Sequence, residues 1–441
     1  MKKALALVLA LCMVFALCAC GAKSETPTAS EAPKSNLKIG VILVGDETEG
    51  YTKAHMDGIE AAKKTLGLTD DQVIYMKSIP ETSECTDAAE KLIKEDGCTA
   101  IFSNSYGHQT FMAQAAKENP DVTFVALTGD FAAISGLKNL KNAFTSVYQS
   151  RYVSGVVAGL KIQELVDNGK LTDKNYDENG NVKVGYVGAY NYAEVVSGYT
   201  AFYLGIKSVF PKVTMYVDYT QSWFDVDKEA AMAEKFIGEG CCIVGQHADS
   251  TGAPSACQAA WKNGAVVYSV GYNVDMLDVA PDAALTSASN NWAVYYTYAF
   301  KSLMDGTEIK TDWAEGYDTD AVKVTTLGAS CAQGTQAKVD ETIAGIKDGS
   351  IKVFDTSAFT VSKANIEATK KAGGAVVTTD ADNHVTSCKI DMSYFDFSTG
   401  TPTLVYQGET IEAIADGAFT ESSFRSAPYF SIRIDGINEA A

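Results

Sequence analysis

The stretch "LKIGVILVG" (37–45) returns, little changed, as "VKVGYVGAY" (182–190). Each is a short apolar run that ends on small residues and gives way to a helical pattern. A buried parallel strand feeding a crossover helix reads this way, and finding it twice decides the fold class. Behind the first copy, Thr52–Leu66 carries apolar residues at helical spacing and "QVIYM" (72–76) reads as a strand. Ser83 caps a helix through Asp87–Ile93, and "AIFS" (100–103), a helix through "TFMAQAAKE" (110–118) and "VTFVAL" (122–127) keep the rhythm. "NAFTSV" (142–147) and a long helix over Gln149–Leu165 close the first half. A polar, Gly- and Asn-rich excursion (168–181) interrupts. Strands at 182–188, 213–219, 241–245 and 265–271 then alternate with helices at 194–209, 227–238 and 253–263. "LTSAS" (285–289) and a helix over Trp292–Met304 follow.

Short apolar strands alternating with amphipathic helices predict an α/β fold of parallel sheets covered on both faces. The repetition suits two lobes with a cleft between them, the type I periplasmic-binding-protein architecture; one large sheet is the alternative. The first lobe is expected over 37–148 with a return segment at about 291–355, and the second over 149–290. Residues 356–441 change character: Thr-rich alternation without a long helical stripe predicts short strands and hairpins, a β-rich extension appended to one lobe.

The N-terminus reads as an export signal over 1–19. Lys2 and Lys3 precede an uncharged apolar run from Ala4 to Leu17, too short to span a bilayer comfortably. It ends "LCACG" (17–21), which looks like the lipobox of bacterial lipoproteins, with Cys20 as the lipidated residue. Leu17 is large where an ordinary signal cleavage site needs a small residue. Acyl chains on Cys20 would hold the protein to the extracytoplasmic face of the cell membrane. Residues 20–36 carry no large apolar side chain and read as a flexible tether.

The formal net charge is −19, and removing the signal would deepen it by two lysines. Nucleic acid and anionic membrane surfaces are therefore poor partners, because both reward clustered Lys and Arg. Of ten cysteines, Cys12 and Cys18 leave with the signal and Cys20 carries lipid. The remaining seven are odd in number and form no C-x-x-C, so spacing encodes neither a disulfide framework nor a zinc site.

In open parallel sheets ligands bind beyond the carboxyl ends of strands, so the residues just after each strand are the informative ones. Tyr51, Tyr106, Tyr192 and Trp223 stand there as stacking faces and walls, with Asp249, Asn273, Asp275 and Asn291 to read polar edges. Trp292 is expected at the floor and His247 is a further candidate contact, whereas His55, inside a helix, reads more readily as structural. Aromatic faces with amides and a few carboxylates suit a flat, polar-edged, uncharged ligand. The alternatives are plain: rim aromatics, lobe-to-lobe packing for Trp223, caps or turns for Asp249 and Asp275. Catalysis has little support. In "GQHADSTGAP" (245–254) the His, Asp and Ser are nearly consecutive, where a triad needs them apart in sequence. No nucleophile elbow, zincin, P-loop or dinucleotide motif occurs, and four scattered His suggest no metal site. Neither cofactor nor metal is expected, and a cleft hydrolase is kept only as a distant alternative.

Eight of these stretches, taken in order, resemble the basic membrane protein family, the substrate-binding lipoproteins of ABC importers for purines and nucleosides. They are "GYTKAHMDG" (50–58), "FSNSYGHQTFM" (102–112), "YQSRYVSGVVAG" (148–159), "YVGAYNYAEVVSGYTAFYLGIKSV" (186–209), "SWFDVDKEAA" (222–231), "GQHADSTGAP", "GYNVDM" (271–276) and "NNWAVYY" (290–296). The resemblance looks closest to the subgroup that binds a purine base. It implies a monomeric receptor that captures a purine base or nucleoside and passes it to a membrane permease, without chemistry. Nucleoside binders of the family typically carry G-V-D-x-D and then a Lys after the next strand. Here those positions hold Gly271-Tyr272-Asn273-Val274-Asp275 and Asn290, which favours a bare base or another flat heterocycle such as riboflavin.

Overall fold

The computed structural model describes residues 37–373, 375–396 and 401–440. Among the described residues, twenty strands run in chain order: β1 Ile39–Ile42, β2 Val73–Met76, β3 Ala100–Ser103, β4 Thr123–Leu127, β5 Leu140–Thr145, β6 Val182–Gly188, β7 Val213–Tyr219, β8 Ile243–Gln246, β9 Tyr268–Tyr272, β10 Ala284–Asn290, β11 Asp312–Glu315, β12 Val322–Val324, β13 Val376–Thr379, β14 Val385–Asp391, β15 Tyr394–Asp396, β16 Thr403–Tyr406, β17 Thr410–Glu412, β18 Ile414–Ala415, β19 Ala418–Phe419 and β20 Ile437–Glu439.

Two separate parallel sheets form the two lobes. The first has the order β11-β5-β4-β3-β1-β2 and is parallel throughout. The second has the order β12-β10-β9-β8-β6-β7-β20 and is parallel except for β12 at its edge. The repeated motif opens both lobes: β1 and β6 are each entirely or almost entirely buried, as strands covered by helices on both faces must be.

The chain crosses between the lobes between β5 and the helix Val147–Asp167, between β10 and the helix Trp292–Asp305, and between β11 and β12. The return to the first lobe is thus shorter than the expected 291–355. It ends with β11 at Glu315, and β12 is already back on the second sheet.

Two helices fix the second lobe by close approach. A Cβ added at Gly205, on the helix Ala193–Val209, would sit 2.0 Å from the Tyr152 carbonyl oxygen, and one at Gly155 would sit 2.1 Å from that of Phe202. The absent side chains let these backbones touch, and Val153, Val156 and Ile206 pack beside them in the core.

The C-terminal region departs from expectation in two ways. It contains a helix, Lys363–Lys371, whose Ser362 side chain accepts a hydrogen bond from the Asn365 amide as an N-cap. It also engages both lobes. β20 extends the second sheet beside β7, while Tyr394 and Tyr406 from the β15–β16 pair pack on Phe131 of the first lobe at 4.6 and 4.9 Å between ring centroids. The isolated β-pairs could be read from alternation; where they dock depends on contacts between residues hundreds of positions apart.

Candidate functional site

The carboxyl ends of both sheets face one cavity of about 570 Å³. The walls that the two lobes supply come largely from residues that follow strands, the position where parallel sheets leave backbone and side chains free to meet a ligand. Tyr51, Tyr106 and Asp130 contribute from the first lobe, and Tyr192, Trp223 and Asp249 from the second.

The aromatic groups meet across the cleft. Tyr190 and Tyr192 stack at 5.2 Å and 13° between planes, and Trp223 stands edge-on to Tyr190 at 5.1 Å. Tyr106 of the first lobe approaches Tyr192 of the second at 6.4 Å. Tyr192 is half exposed, so it has ring surface free to cover a ligand. Tyr51 is held by its hydroxyl on the Asn104 carbonyl and leans edge-on against His55.

The polar groups form a relay from the cavity to the hinge. Asp249 lines the cavity and is buried; the Asn273 amide donates to its Oδ1 at 2.6 Å. Asn290 donates to Asn273 Oδ1 at 3.1 Å, and the Thr145 hydroxyl donates to Asn290 Oδ1 at 2.5 Å. The two positions that depart from the nucleoside-binder pattern therefore bond to each other. Burial first, and the neighbouring Glu49, Glu229 and Glu194 carboxylates next, push Asp249 well above the usual carboxylate range. It is thereby biased toward the neutral acid, a form that can donate as well as accept.

His247 also lines the cavity and is 1% exposed. Its Nε2 faces both Glu194 oxygens at 2.7 and 2.8 Å, and its Nδ1 lies 3.3 Å from the Tyr186 hydroxyl. Burial lowers its pKa first, with the Arg151 guanidinium adding to that and Glu194 opposing it. The ring rests on Gly198, where a Cβ would come within 2.7 Å of it. Arg151 stacks on Tyr272 with its Cζ 3.6 Å from the ring centroid. Glu194 and Tyr186 thus engage both imidazole nitrogens.

Three expected contacts lie elsewhere. Trp292 does not form the floor: it is 1% exposed and stacks on His55 at 4.2 Å, one layer behind Tyr51. Asp275 is exposed and caps a turn by accepting from the Leu277 amide at 2.8 Å. Asn291 lies on a separate shallow groove with Asp320, whose carbonyl accepts from its side chain at 2.8 Å. All three follow a strand or an apparent strand end, but the chain there turns away from the cleft. Asn273 is not a cavity wall either; it backs Asp249. His55 is structural, with Nδ1 2.9 Å from the Tyr296 hydroxyl.

Sequence reasoning missed several wall residues. Glu194 and Tyr272 sit inside motifs already singled out, and only their direction was unreadable. Glu49, Glu81 and Asp130 follow β1, β2 and β4, so a complete survey of strand ends would have found them. Tyr394, Arg425 and Tyr429 come from the C-terminal extension, for which no local signal exists. In all, six carboxylates and two guanidinium groups line the cavity, a balance that opposes phosphorylated ligands. Among the described residues no cluster of His, Cys, Asp and Glu could hold a metal ion, and no helix is long and apolar enough to cross a membrane.

Residues 37–356 match the family model described as Bmp, ABC transporter substrate-binding protein PnrA-like. The chain is 30% identical over 324 residues to a purine-binding protein of Brucella abortus, covering 73% of this chain and 84% of that one. It is 29% identical over 260 residues to a putative ABC transporter glucose-binding protein of Haloferax volcanii, covering 59% and 60%. Among solved structures, an ABC transporter solute-binding protein from Aeropyrum pernix superposes with a TM-score of 0.59 at 14% identity, over 76% of this chain and 96% of that one.

Proposed function

The chain belongs to the PnrA-like family of ABC transporter substrate-binding proteins, and from that premise we propose that its cleft captures a purine base or nucleoside. The observation that carries this reading is the pairing of aromatic walls drawn from both lobes, Tyr106 with Tyr192 and Trp223, with Asp249, held from behind by Asn273, at the same cavity. A double-ring heterocycle offers faces to the first and edge donors and acceptors to the second. Stacking on one aromatic face contributes about 1–3 kcal/mol. Edge hydrogen bonds add selectivity, because an unmatched buried group costs about 1–3 kcal/mol. Closure of the lobes would supply the dry surroundings in which those bonds count most.

The ligand would then pass unaltered to a membrane permease. Cys20, which lies outside the described residues, would carry the lipid anchor that keeps the receptor on the extracytoplasmic face of the membrane, and one copy would suffice for binding. The cavity volume of about 570 Å³ favours a second reading, a larger flat heterocycle such as riboflavin. Calorimetry with adenine, hypoxanthine, adenosine and guanosine tests the first reading, and silence from all four rejects it. Mass spectrometry of small molecules that co-purify with the protein separates the two.

A further inference from the structure

The family match stops at residue 356, yet the cavity does not. Its remaining wall is built by the C-terminal extension, most of all by the segment from Arg425 to Arg433. That segment is held rigidly. The amides of Tyr429 and Phe430 donate to the buried Glu421 carboxylate at 2.7 and 2.9 Å, and the Ser197 hydroxyl of the second lobe donates to it at 2.7 Å. The Ser426 amide donates to Asp312 of the first lobe at 3.0 Å, and the Arg433 amide to Thr369 at 2.9 Å. Preorganised groups of this kind bind without the cost of ordering a loop.

Two side chains on this wall have unused capacity. Ser431 is 5% exposed, lines the cavity, and its hydroxyl has no partner. Arg425 also lines it; its buried Nε has no partner, and its Nη1 stands 3.6 Å from Asp130 Oδ2, beyond hydrogen-bond reach. Buried hydrogen-bonding groups are normally satisfied, so such a pair marks where a bound molecule completes the set. The guanidinium only donates, whereas the hydroxyl donates or accepts, so the pair suits oxygens that accept and, at Ser431, can also donate. The carboxylate of Asp130 offsets the guanidinium, so those oxygens belong to a neutral group.

We propose that Arg425 and Ser431 form a subsite for a neutral, oxygen-bearing substituent on the heterocycle, so that the extension selects a nucleoside over its bare base. This rests on the purine reading above. It also reverses the preference implied by Asn273 and Asn290: the sugar is received by a wall outside the family's shared region. The cavity has the room, since about 570 Å³ far exceeds the space that one double-ring base fills.

The test is calorimetry of the full-length protein and three variants, Arg425→Gln, Ser431→Ala and Ser423→Ala, against adenosine, guanosine, adenine and guanine. Ser423 is exposed and lies off the cavity, which makes it the control. Arg425→Gln should weaken nucleoside binding at least tenfold and Ser431→Ala about fivefold, as loss of a charged and a neutral hydrogen bond does. Base affinities should stay within twofold, and the control should match the parent. Unchanged nucleoside affinity in both cavity variants overturns the subsite, as does equal weakening for bases. If the parent binds bases but not nucleosides, the subsite fails while the purine reading survives; if it binds no purine, both fall. Matching thermal melting curves exclude misfolding as the cause.

Discussion

Glu229 lies under the loop that presents Asp249, and replacing it with glutamine should change how stability depends on pH. The carboxylate is fully buried and accepts hydrogen bonds from the Ser250 amide at 3.2 Å and the Asp225 amide at 3.1 Å. Burial outweighs those bonds and raises its pKa from the usual 4.5 to about 7. A group raised on folding contributes fully below its unfolded pKa and loses that contribution as pH climbs through the folded one. At about 1.4 kcal/mol per pKa unit, ionisation of Glu229 should cost the native state about 3 kcal/mol by pH 8. Glutamine keeps an acceptor but cannot ionise. The free energy of unfolding of Glu229→Gln minus that of the parent should therefore rise by about 3 kcal/mol from pH 4.5 to pH 8. The subtraction removes the opposing effect of the buried histidines, which is common to both proteins. Urea unfolding at a series of pH values measures it, with circular dichroism to confirm that both start folded. A difference that stays level across the range would refute the claim that this carboxyl is strained by burial.

Trp223→Ala should weaken whichever ligand binds at least tenfold, by loss of one aromatic face, measured by calorimetry. Gly205→Ala should lower stability by about 1–3 kcal/mol in urea unfolding, because its new methyl meets the Tyr152 carbonyl oxygen at 2.0 Å, a backbone atom that has no rotamer to escape into. The seven cysteines from Cys85 to Cys388 are unpaired, and burial pushes even the partly exposed Cys331 up to about 11. Native protein at pH 8 should react with iodoacetamide far more slowly than unfolded protein, as counted by mass spectrometry. Burial holds His55 well below the usual 6.5, so the stability it lends is complete above pH 6.5 and declines as the solution is acidified. His55→Gln should flatten the parent's loss of stability between pH 6.5 and pH 5, provided the variant still folds.

The α/β class and the twofold repeat were legible because a buried parallel strand must be apolar along its whole length, and the helices that cover it must be amphipathic. "LKIGVILVG" and "VKVGYVGAY" satisfy the first condition at β1 and β6 without help from context. Strand ends told which residues stand near a cleft, and Tyr106, Tyr192, Trp223 and Asp249 do line the cavity. They did not tell which way each loop turns. Asp275 and Asn291 satisfy the rule in sequence and miss the cavity in space. Trp292 is aromatic and adjacent to the hinge, but a tryptophan with a histidine to stack on gains more from the core than from a rim. The extension was the least readable part. Its strands are short, and its role is fixed by Glu421, Glu439 and Tyr394 meeting partners on other segments. Local periodicity carries no information about such meetings.

The extension is anchored to both halves of the molecule. On one side Tyr199, Tyr219 and Arg433 converge on Glu439 beside the added strand β20. On the other, Tyr394 and Tyr406 grip Phe131. A jaw strapped across its own mouth cannot gape until one fastening parts: the strand pairing on one side, or the aromatic grip with the Ser426–Asp312 hydrogen bond on the other. Tyr394 is thereby both a fastening between the halves and a wall of the cavity.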